Sequence, residues 1–290
     1  MRSFHHAEFP ADRLRAARVE TVSVCVPARE EAATIAGVVG PLIALREAGV
    51  VDQVLVLDDD SRDGTGAIAA ALGAEVVRPA ALLPAFGPVL GKGDAMWRAL
   101  SAVSGDLVCF VDADSEDFGA HFATGLLGPL VCEPDVQFVK GFYRRPFKSG
   151  PAQVDPTGGG RVTELMARPL LAAFYPELAD VRQPLAGEFA ARRDLLERMA
   201  FCTGYAVEIG LLLDIATAAG VAAIAQVDLD VRQNRHQPLE DLAPMSAAVL
   251  AAVTSRLRRA GRLDAGAVAE GPELLERPAL AELRALRDVR

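Results

Sequence analysis

Short apolar runs alternate with helical patterns along the first half of the chain. The runs at 21–26, 54–57, 75–77, 107–111 and 136–142 are too short for most helices, and apolar residues recur between them at helical spacing. Such runs are typical of strands buried on both faces of a sheet. Strands that alternate with helices are joined by right-handed crossovers. The sequence therefore predicts an α/β fold with a mostly parallel sheet flanked by helices.

Two aspartates, Asp112 and Asp114, follow one of these runs directly and are separated by a single small residue. In an extended segment, residues two positions apart point the same way, so both carboxylates can face one volume. Carboxylates at the carboxyl end of a parallel strand suit a hard divalent cation that holds a diphosphate. Alternatively, Asp112 caps the next helix and Asp114 is solvated. The pair alone favours neither interpretation.

A second carboxylate cluster, Asp58 to Asp60, follows the run at 54–57. Open α/β sheets bind ligands beyond the carboxyl ends of their strands, so the two clusters could share one crevice. Lys92 stands between two glycines at the start of a helix, from which it can reach a phosphate, although the spacing is not that of a Walker loop. A flexible exposed loop is the alternative for this segment.

Three glycines, Gly158 to Gly160, precede Arg161 and Thr163 at the start of another helix. Glycines let the backbone turn its amides inward, and the helix adds its positive end. Arginine can hold a phosphate or carboxylate through two parallel hydrogen bonds. A plain mobile linker is the alternative. We expect two anion sites, one assisted by a metal and one metal-free.

Bulk properties restrict the class of protein. The net charge of −9 argues against a broad nucleic-acid-binding surface. The cysteines are far apart and lack metal-type pairing, which favours buried thiols in a reducing compartment. Residues 1–20 lack the apolar core of a signal peptide, and the chain has no long apolar run that could span a membrane. We expect a cytoplasmic protein that binds neither nucleic acid nor membranes.

Seven segments together resemble the glucosyl-3-phosphoglycerate synthase family, and the related mannosyl-3-phosphoglycerate synthases are similar over the same positions. These segments are Val24 to Glu31, Asp58 to Gly64, Lys92, Asp112 to Asp114, Gly158 to Leu165, Ala186 to Glu188 and Tyr205 to Gly210. The resemblance covers roughly residues 22–242. Its most specific part is Gly158 to Leu165, whereas the Asp-x-Asp and the Pro-Ala-x-Glu-Glu opening are shared with many GT-A glycosyltransferases.

The resemblance implies a retaining GT-A enzyme that needs Mg²⁺ or Mn²⁺. It would move a hexose from a nucleoside diphosphate onto the 2-hydroxyl of 3-phosphoglycerate, with UDP-glucose favoured as donor and GDP-mannose second. The chain would comprise an N-terminal arm or short leading helix (1–20), a nucleotide-sugar-binding half (21–145), an acceptor-binding half (146–238) and a helical extension (239–290). That extension looks suited to packing or to homodimer formation.

Site roles are carried over from the family position by position. Donor binding falls to Pro27, Ala28, Glu30, Asp59, Ser61, Lys92, Asp112 and Ala113. Acceptor binding falls to Gly160, Arg161, Thr163, Tyr205 and Asn234. Catalytic roles fall to Glu208, Asp112 and Arg232, and metal binding to Asp114 and His236.

One segment departs from the family pattern. The family would place a histidine and then an asparagine at alternate positions after Arg232, but this chain has Asn234 first and His236 second. Either the loop slips by two residues so that His236 still reaches the metal, or Asn234 replaces it as a weaker oxygen ligand. A lone histidine is also often structural.

Three other functions share parts of this pattern. A sugar nucleotidyltransferase would normally carry a glycine-rich signature after the first strand, where this chain has Pro27 to Glu30. A polyprenyl-phosphate glycosyltransferase, another GT-A enzyme, shares the early motifs but usually needs membrane attachment, for which the sequence offers no segment. A sugar-nucleotide sensor without activity is supported only by the altered order of Asn234 and His236.

Overall fold

A central sheet of eight strands organises the protein. The computed structural model describes residues 1–150, 153–155, 158–233, 238–264 and 273–288. The strands of the central sheet are β1 (Arg2–His5), β2 (Val22–Ala28), β3 (Gln53–Asp58), β4 (Glu75–Val77), β5 (Leu107–Phe110), β6 (Phe138–Arg144), β9 (Phe189–Arg192) and β11 (Ile224–Val231). Two short ribbons are formed by β7 (Phe147–Gly150) with β8 (Gln153–Asp155), and by β10 (Phe201–Cys202) with β12 (Glu276–Arg277).

Ten α-helices lie among the described residues. They are α1 (Ala11–Ala17), α2 (Ile35–Glu47), α3 (Thr65–Ala71), α4 (Lys92–Ala99), α5 (Ala120–Cys132), α6 (Arg168–Phe174), α7 (Arg193–Glu197), α8 (Val207–Ala219), α9 (Leu239–Arg259) and α10 (Leu280–Asp288). A π-helical turn, Thr163–Ala167, leads into α6. None of the described helices has both the length and the apolar character needed to cross a membrane.

The predicted mostly parallel sheet is confirmed. Its strand order is β1-β11-β6-β9-β5-β2-β3-β4, and β9 alone among these strands runs antiparallel to its neighbours. The central strands are buried on both faces, as their apolar runs require. Because the parallel strands end at one edge, the segments that follow β2, β3 and β5 meet there.

Helices cover both faces of the sheet and form two apolar cores. One core packs α2 and α5 against the sheet, through residues such as Leu42 and Leu126. The other packs α4, α8 and α9, through residues such as Trp97, Leu212 and Val253. This two-faced burial is the physical reason that the strands are almost wholly apolar.

Two segments have more structure than the sequence predicted. The expected N-terminal arm or leading helix contains the helix α1, but it begins with β1, which pairs parallel with β11 at the sheet edge. The region 140–160, expected to be a long polar connection, contains the end of β6 and the β7–β8 ribbon. Both additions depend on pairing with another strand, and local apolar patterning carries no information about that pairing.

The C-terminal segment docks on the start of α4. The indole Nε1 of Trp97 donates a hydrogen bond to the carbonyl of Pro278 at 2.8 Å. Asp94 is fully buried and binds Arg98 at 3.1 Å and Arg277 at 2.7 Å. These contacts fix the helix that begins with Lys92.

Candidate active site

Asp112 lies at the centre of a charged cluster beyond the carboxyl end of β5. Lys92 Nζ is 2.6 Å from Asp112 Oδ1, and Arg232 Nη1 is 3.1 Å from Asp112 Oδ2. Lys92 Nζ also lies 2.9 Å from Oε1 of Glu208, in the first turn of α8. Burial opposes ionisation of the Asp112 carboxyl, but the two cations outweigh it and lower its pKa. Asp112 is therefore a permanent anion.

Lys92 is permanently charged for the complementary reason. Burial disfavours its ammonium, but the charges of Asp112 and Glu208 outweigh that effect and raise its pKa. The side chain reaches this position from the first residue of α4, just after Gly91, whose φ is +90°. The sequence predicted that a lysine in this place can reach a phosphate; in the structure its ammonium contacts two carboxylates, and the phosphate contact stays a prediction.

Arg232 joins the two aspartates to a buried carboxylate. Its Nη2 lies 2.5 Å from Asp114 Oδ1, and its Nη1 lies 2.9 Å from Glu188 Oε1. Nη1 also donates to the hydroxyl of Tyr143 at 2.9 Å, and that hydroxyl lies 2.6 Å from Glu188 Oε2. Burial raises the pKa of Glu188, with Arg232 acting in the opposite direction. The guanidinium is thus held on three sides.

A glycine lets the backbone lie against this cluster. A Cβ on Gly187 would overlap the Asp112 carboxylate and come within 2.5 Å of Lys92 Nζ. The preceding carbonyl, that of Ala186, accepts a hydrogen bond from the buried ammonium of Lys140. Burial lowers the pKa of Lys140 to about 8. Gly187 therefore lines the crevice beside Asp112, and Lys140 holds the backbone that precedes it.

The crevice consists of two chambers that meet at the aspartates. The larger holds about 430 Å³ and the smaller about 240 Å³. Four residues border both chambers: Lys92, Asp112, Asp114 and Tyr205. A ligand in one chamber can therefore meet a ligand in the other next to Asp114.

The larger chamber collects most of the residues predicted to bind a donor. Its lining includes Pro27, Ala28, Asp59, Lys92, Asp112 and Ala113. Glu30 and Ser61, also predicted for this role, do not line it; they join the segments that follow β2 and β3. The hydroxyl of Ser61 accepts from the Glu30 amide at 3.0 Å, and Glu30 Oε1 accepts from the Arg62 amide at 2.8 Å.

The smaller chamber collects the residues predicted to bind an acceptor. Its lining includes Gly160, Arg161, Thr163, Tyr205, Glu208 and Arg232. Gly160 has a φ of +72°, and the Gly159 amide donates to the carbonyl of Arg145 at 3.0 Å. This turn brings Arg145 and Arg161 to the same chamber, so an anion there would face two guanidinium groups.

Several lining residues were not predicted. Tyr143, Arg145, Leu185 and Gly187 line the smaller chamber, and Glu188 binds Arg232 behind it. Leu242, Met245 and Val249 of α9 also line it. The C-terminal helix, which was predicted to serve packing or dimerisation, thus also borders the chamber. The sequence feature that could have pointed to Tyr143 and Arg145 was the pair of arginines, Arg144 and Arg145, at the end of a strand. Asn234 and His236 lie outside the described residues.

A mostly parallel sheet with a charged, two-chambered crevice at its carboxyl edge is the architecture of a GT-A glycosyltransferase. The family model "Glycosyl transferase family 2" matches residues 23–122. Glucosyl-3-phosphoglycerate synthase of Mycolicibacterium smegmatis is 48% identical over 255 residues, which are 88% of this chain and 84% of that protein. The chain belongs to the glucosyl-3-phosphoglycerate synthase family.

Solved structures agree with this assignment. Mannosyl-3-phosphoglycerate synthase from Rubrobacter xylanophilus is 46% identical, with a TM-score of 0.88 over 97% of each chain. Glucosyl-3-phosphoglycerate synthase from Mycobacterium tuberculosis, in complex with Mn²⁺, UDP-glucose and phosphoglyceric acid, is 42% identical. Its TM-score is 0.85, over 98% of this chain and 99% of that one. The same M. tuberculosis protein has also been solved with Mg²⁺ and UDP.

Proposed function

We propose that this protein transfers glucose from UDP-glucose to the 2-hydroxyl of 3-phosphoglycerate, with retention at the anomeric carbon. The observation that carries the proposal is the pair of chambers that share Lys92, Asp112, Asp114 and Tyr205. A nucleotide sugar and a small anionic acceptor need two such sites with one point of contact. The glucosyl-3-phosphoglycerate synthases of Mycolicibacterium smegmatis and Mycobacterium tuberculosis support glucose as the sugar, and the similar mannosyl-3-phosphoglycerate synthase makes GDP-mannose the second candidate donor.

The larger chamber is proposed to hold the nucleoside diphosphate. Pro27 and Ala28 supply an apolar wall at the end of β2, and Asp59 lies beside them at the end of β3. Lys92 and Arg232 lie where the chamber meets its neighbour, and their two positive charges would face the diphosphate. Both cations are already held by carboxylates, so they are oriented before the donor arrives.

Mg²⁺ or Mn²⁺ is proposed to bind at Asp114. The donor chemistry fits, because these cations prefer carboxylate oxygens, and the side chain of Asp114 is 35% exposed at the junction of the chambers. The ion would neutralise the charge that develops on the departing diphosphate. Asn234 and His236 remain the candidates for a second ligand.

The smaller chamber is proposed to hold 3-phosphoglycerate. Arg161 and Arg145 provide positive charge, and Gly160 and Thr163 border the same space. Arginine binds phosphate and carboxylate through two parallel hydrogen bonds, and the acceptor carries one of each group. Leu242, Met245 and Val249 form the apolar side of the chamber and limit the entry of water.

Glu208 is proposed to position the sugar or the acceptor hydroxyl. It is only 6% exposed, and its carboxylate is bound to Lys92, which reduces its strength as a nucleophile. We infer same-face attack, in which the departing phosphate takes the proton of the acceptor hydroxyl. Replacing Glu208→Gln should then slow turnover without abolishing it. A covalent glycosyl-enzyme detected by mass spectrometry, or complete loss of turnover with intact UDP binding, would assign Glu208 a direct chemical role.

The activity is tested with a panel of substrates. The protein is incubated with Mg²⁺, 3-phosphoglycerate and either UDP-glucose or GDP-mannose, and released nucleotide is measured. We expect UDP release that depends on 3-phosphoglycerate, with slower release of GDP. Nucleotide binding without release from either donor would favour a sensor, and release that does not depend on the acceptor would indicate a hydrolase.

We further propose a homodimer in the cytoplasm. Three large apolar residues on helices are exposed, which supports association: Phe174 of α6, and Leu239 and Leu250 of α9. All four cysteines are free, which supports a reducing compartment. Light scattering during size exclusion would test the dimer, and a single-chain mass at micromolar concentration would contradict it.

A further inference from the structure

The end of β1 lies against an irregular turn of β11. His5 is in register with Asp228, and the pairing of β11 with β6 shifts between Asp228 and Val231. Within this bulge Asp230 has a φ of +67°, the left-handed region that most side chains avoid. The bulge therefore holds Asp230 in a backbone conformation that few residues other than glycine, asparagine and aspartate adopt.

Two histidines supply contacts to Asp230. The Nε2 atom of His6 is 2.7 Å from Asp230 Oδ2, and the Nε2 atom of His5 is 3.4 Å from Oδ1. The Asp230 amide donates to Asp228 Oδ1 at 2.9 Å. His6 packs between the rings of His5 and His121, with ring centroids 4.5 Å apart in both cases. His6 is thus held where its ring meets the carboxylate.

The three side chains could also be considered a metal site, because their ligand atoms lie within 4.8 Å of one another. The hydrogen bonds argue against it. The Ala7 amide donates to Nδ1 of His5 at 3.2 Å, so a neutral His5 carries its proton on Nε2, which faces Asp230. A metal ligand would need a lone pair at that atom. The geometry is that of donors around a carboxylate.

The bulge directs the residues that follow it into the active site. The Arg232 amide donates to the carbonyl of Arg144 at 3.0 Å, and its guanidinium contacts Asp112 and Asp114. The Gln233 amide then donates to Asp117 Oδ1 at 2.9 Å. Because only one residue lies between Asp230 and Arg232, a different backbone conformation at Asp230 would change the direction of the guanidinium.

We propose that His5 and His6 form a clamp on Asp230 that positions Arg232 for the transfer reaction. The clamp connects the N-terminal strand, which lies outside the matched family model, to the diphosphate side of the crevice. His6 makes the shorter contact and is the principal positioning residue. This inference rests on the proposed glycosyl transfer.

Variants at His6 test the clamp through kcat per competent site, where a competent site is one that still binds UDP. His6→Phe keeps an aromatic ring and removes the donor, whereas His6→Gln keeps an amide donor near the same position. Competent sites are counted by calorimetric titration with UDP and Mn²⁺, and kcat is divided by that number. We expect His6→Phe to lower kcat per site roughly ten- to hundredfold, as for one lost hydrogen bond to a charged group. His6→Gln should restore most of it.

Variants at Asp230 test the conformational part of the proposal. Glycine adopts positive φ readily, whereas alanine does not. Asp230→Ala should therefore lose more turnover per site than Asp230→Gly, and His6→Phe should have no further effect in the Asp230→Gly background. Equal losses for alanine and glycine, or additive effects of the double variant, would overturn the clamp.

Controls distinguish an effect of the clamp on turnover from loss of stability, from metal binding and from failure of the proposed function. Arg2→Ala removes an ion pair with Glu133 from the same strand and should leave turnover unchanged. If His6→Phe lowers only the melting temperature or the number of sites, the proposal is wrong. It is also wrong if ZnCl₂ stabilises the wild-type protein but not His6→Phe. Absence of turnover in the wild-type protein would refute the transfer activity, whereas wild-type turnover matched by His6→Phe would refute the clamp alone.

Discussion

Asp112 and Asp114 are two residues apart but occupy different environments. Asp112 contacts two cations, Lys92 and Arg232, and its side chain is 20% exposed. Asp114 contacts Arg232 and is 35% exposed. The spacing after a strand allowed both carboxylates to face one volume, but it did not decide between a metal site and a helix cap. It could not predict the contact with Arg232, which lies more than a hundred residues away and is brought in by the tertiary packing of β11.

Gly187→Ala tests the close approach of backbone to the Asp112–Lys92 ion pair. The added Cβ would overlap the carboxylate, so one of the two charged groups must move. We expect kcat/KM to fall roughly tenfold or more, as when a charged hydrogen bond is lost, with little change in melting temperature. Gly40→Ala, in a helix where a Cβ meets nothing within 4 Å, is the control and should retain full activity. Equal activity of the two variants would contradict this packing.

Lys140 predicts a pH effect on substrate binding. Its pKa is lowered to about 8 by burial, with Glu208 and Glu188 acting in the opposite direction. As the pH rises through this value the ammonium loses its charge, and the crevice becomes more negative. The KM for UDP-glucose, an anion, should therefore rise between pH 7 and 9. In Lys140→Met the KM should be high and flat over that range. A wild-type rise that persists in the variant would assign it to another group.

At the scale of elements, α4 is held by a buried charge cluster. Asp94 is fully buried between Arg98 and Arg277, and Arg98 also donates to the carbonyls of Leu82 and Gly87. One helix thereby fixes the preceding loop and the C-terminal segment. Apolar periodicity predicted the helix, but it could not predict that its first turn is joined to residue 277.

Asp94→Ala should destabilise the protein strongly. It leaves two arginines without their shared carboxylate, and removing one partner of a buried ion pair costs about 3–5 kcal/mol. Urea unfolding would measure the change in the free energy of unfolding. Asp194→Ala breaks an exposed pair with Arg198 in α7 and should cost less than about 1 kcal/mol. Similar values for the two variants would show that burial does not determine the strength of the Asp94 cluster.

The regular elements were predictable and the edge elements were not. Buried strands and amphipathic helices carry their signal locally, so the parallel sheet was predicted from periodicity. The strand β1 is four residues long, and it exists because β11 offers an unpaired edge. The helix α9 was predicted, but its role in closing the acceptor chamber depends on its contact with the turn Thr163–Ala167.

At the scale of the whole molecule, the sheet brings two binding chambers together. The donor chamber is built from the ends of β2, β3 and β5, and the acceptor chamber from the second half of the chain and α9. The resemblance supplied many of the charged lining residues. Tyr143, Arg145 and Glu188 were missed because their contacts with Arg232 and Gly159 arise only from the tertiary fold.

Separate chambers predict separable binding defects. Arg161→Met removes a guanidinium from the acceptor chamber and leaves the lining of the donor chamber unchanged. The KM for 3-phosphoglycerate should rise roughly ten- to hundredfold, the equivalent of a hydrogen bond to a charged group. The affinity for UDP with Mn²⁺, measured by calorimetry, should stay the same. A parallel loss of both affinities would contradict the division of the crevice.

The most direct test of the proposed reaction is the structure of its product. The protein would be incubated with UDP-glucose, 3-phosphoglycerate and Mg²⁺, and the product followed by proton NMR. We expect a glucosyl group in the α-configuration on the 2-oxygen of phosphoglycerate, formed in step with UDP. A β-linked product, attachment at another oxygen, or free glucose in place of the conjugate would contradict it.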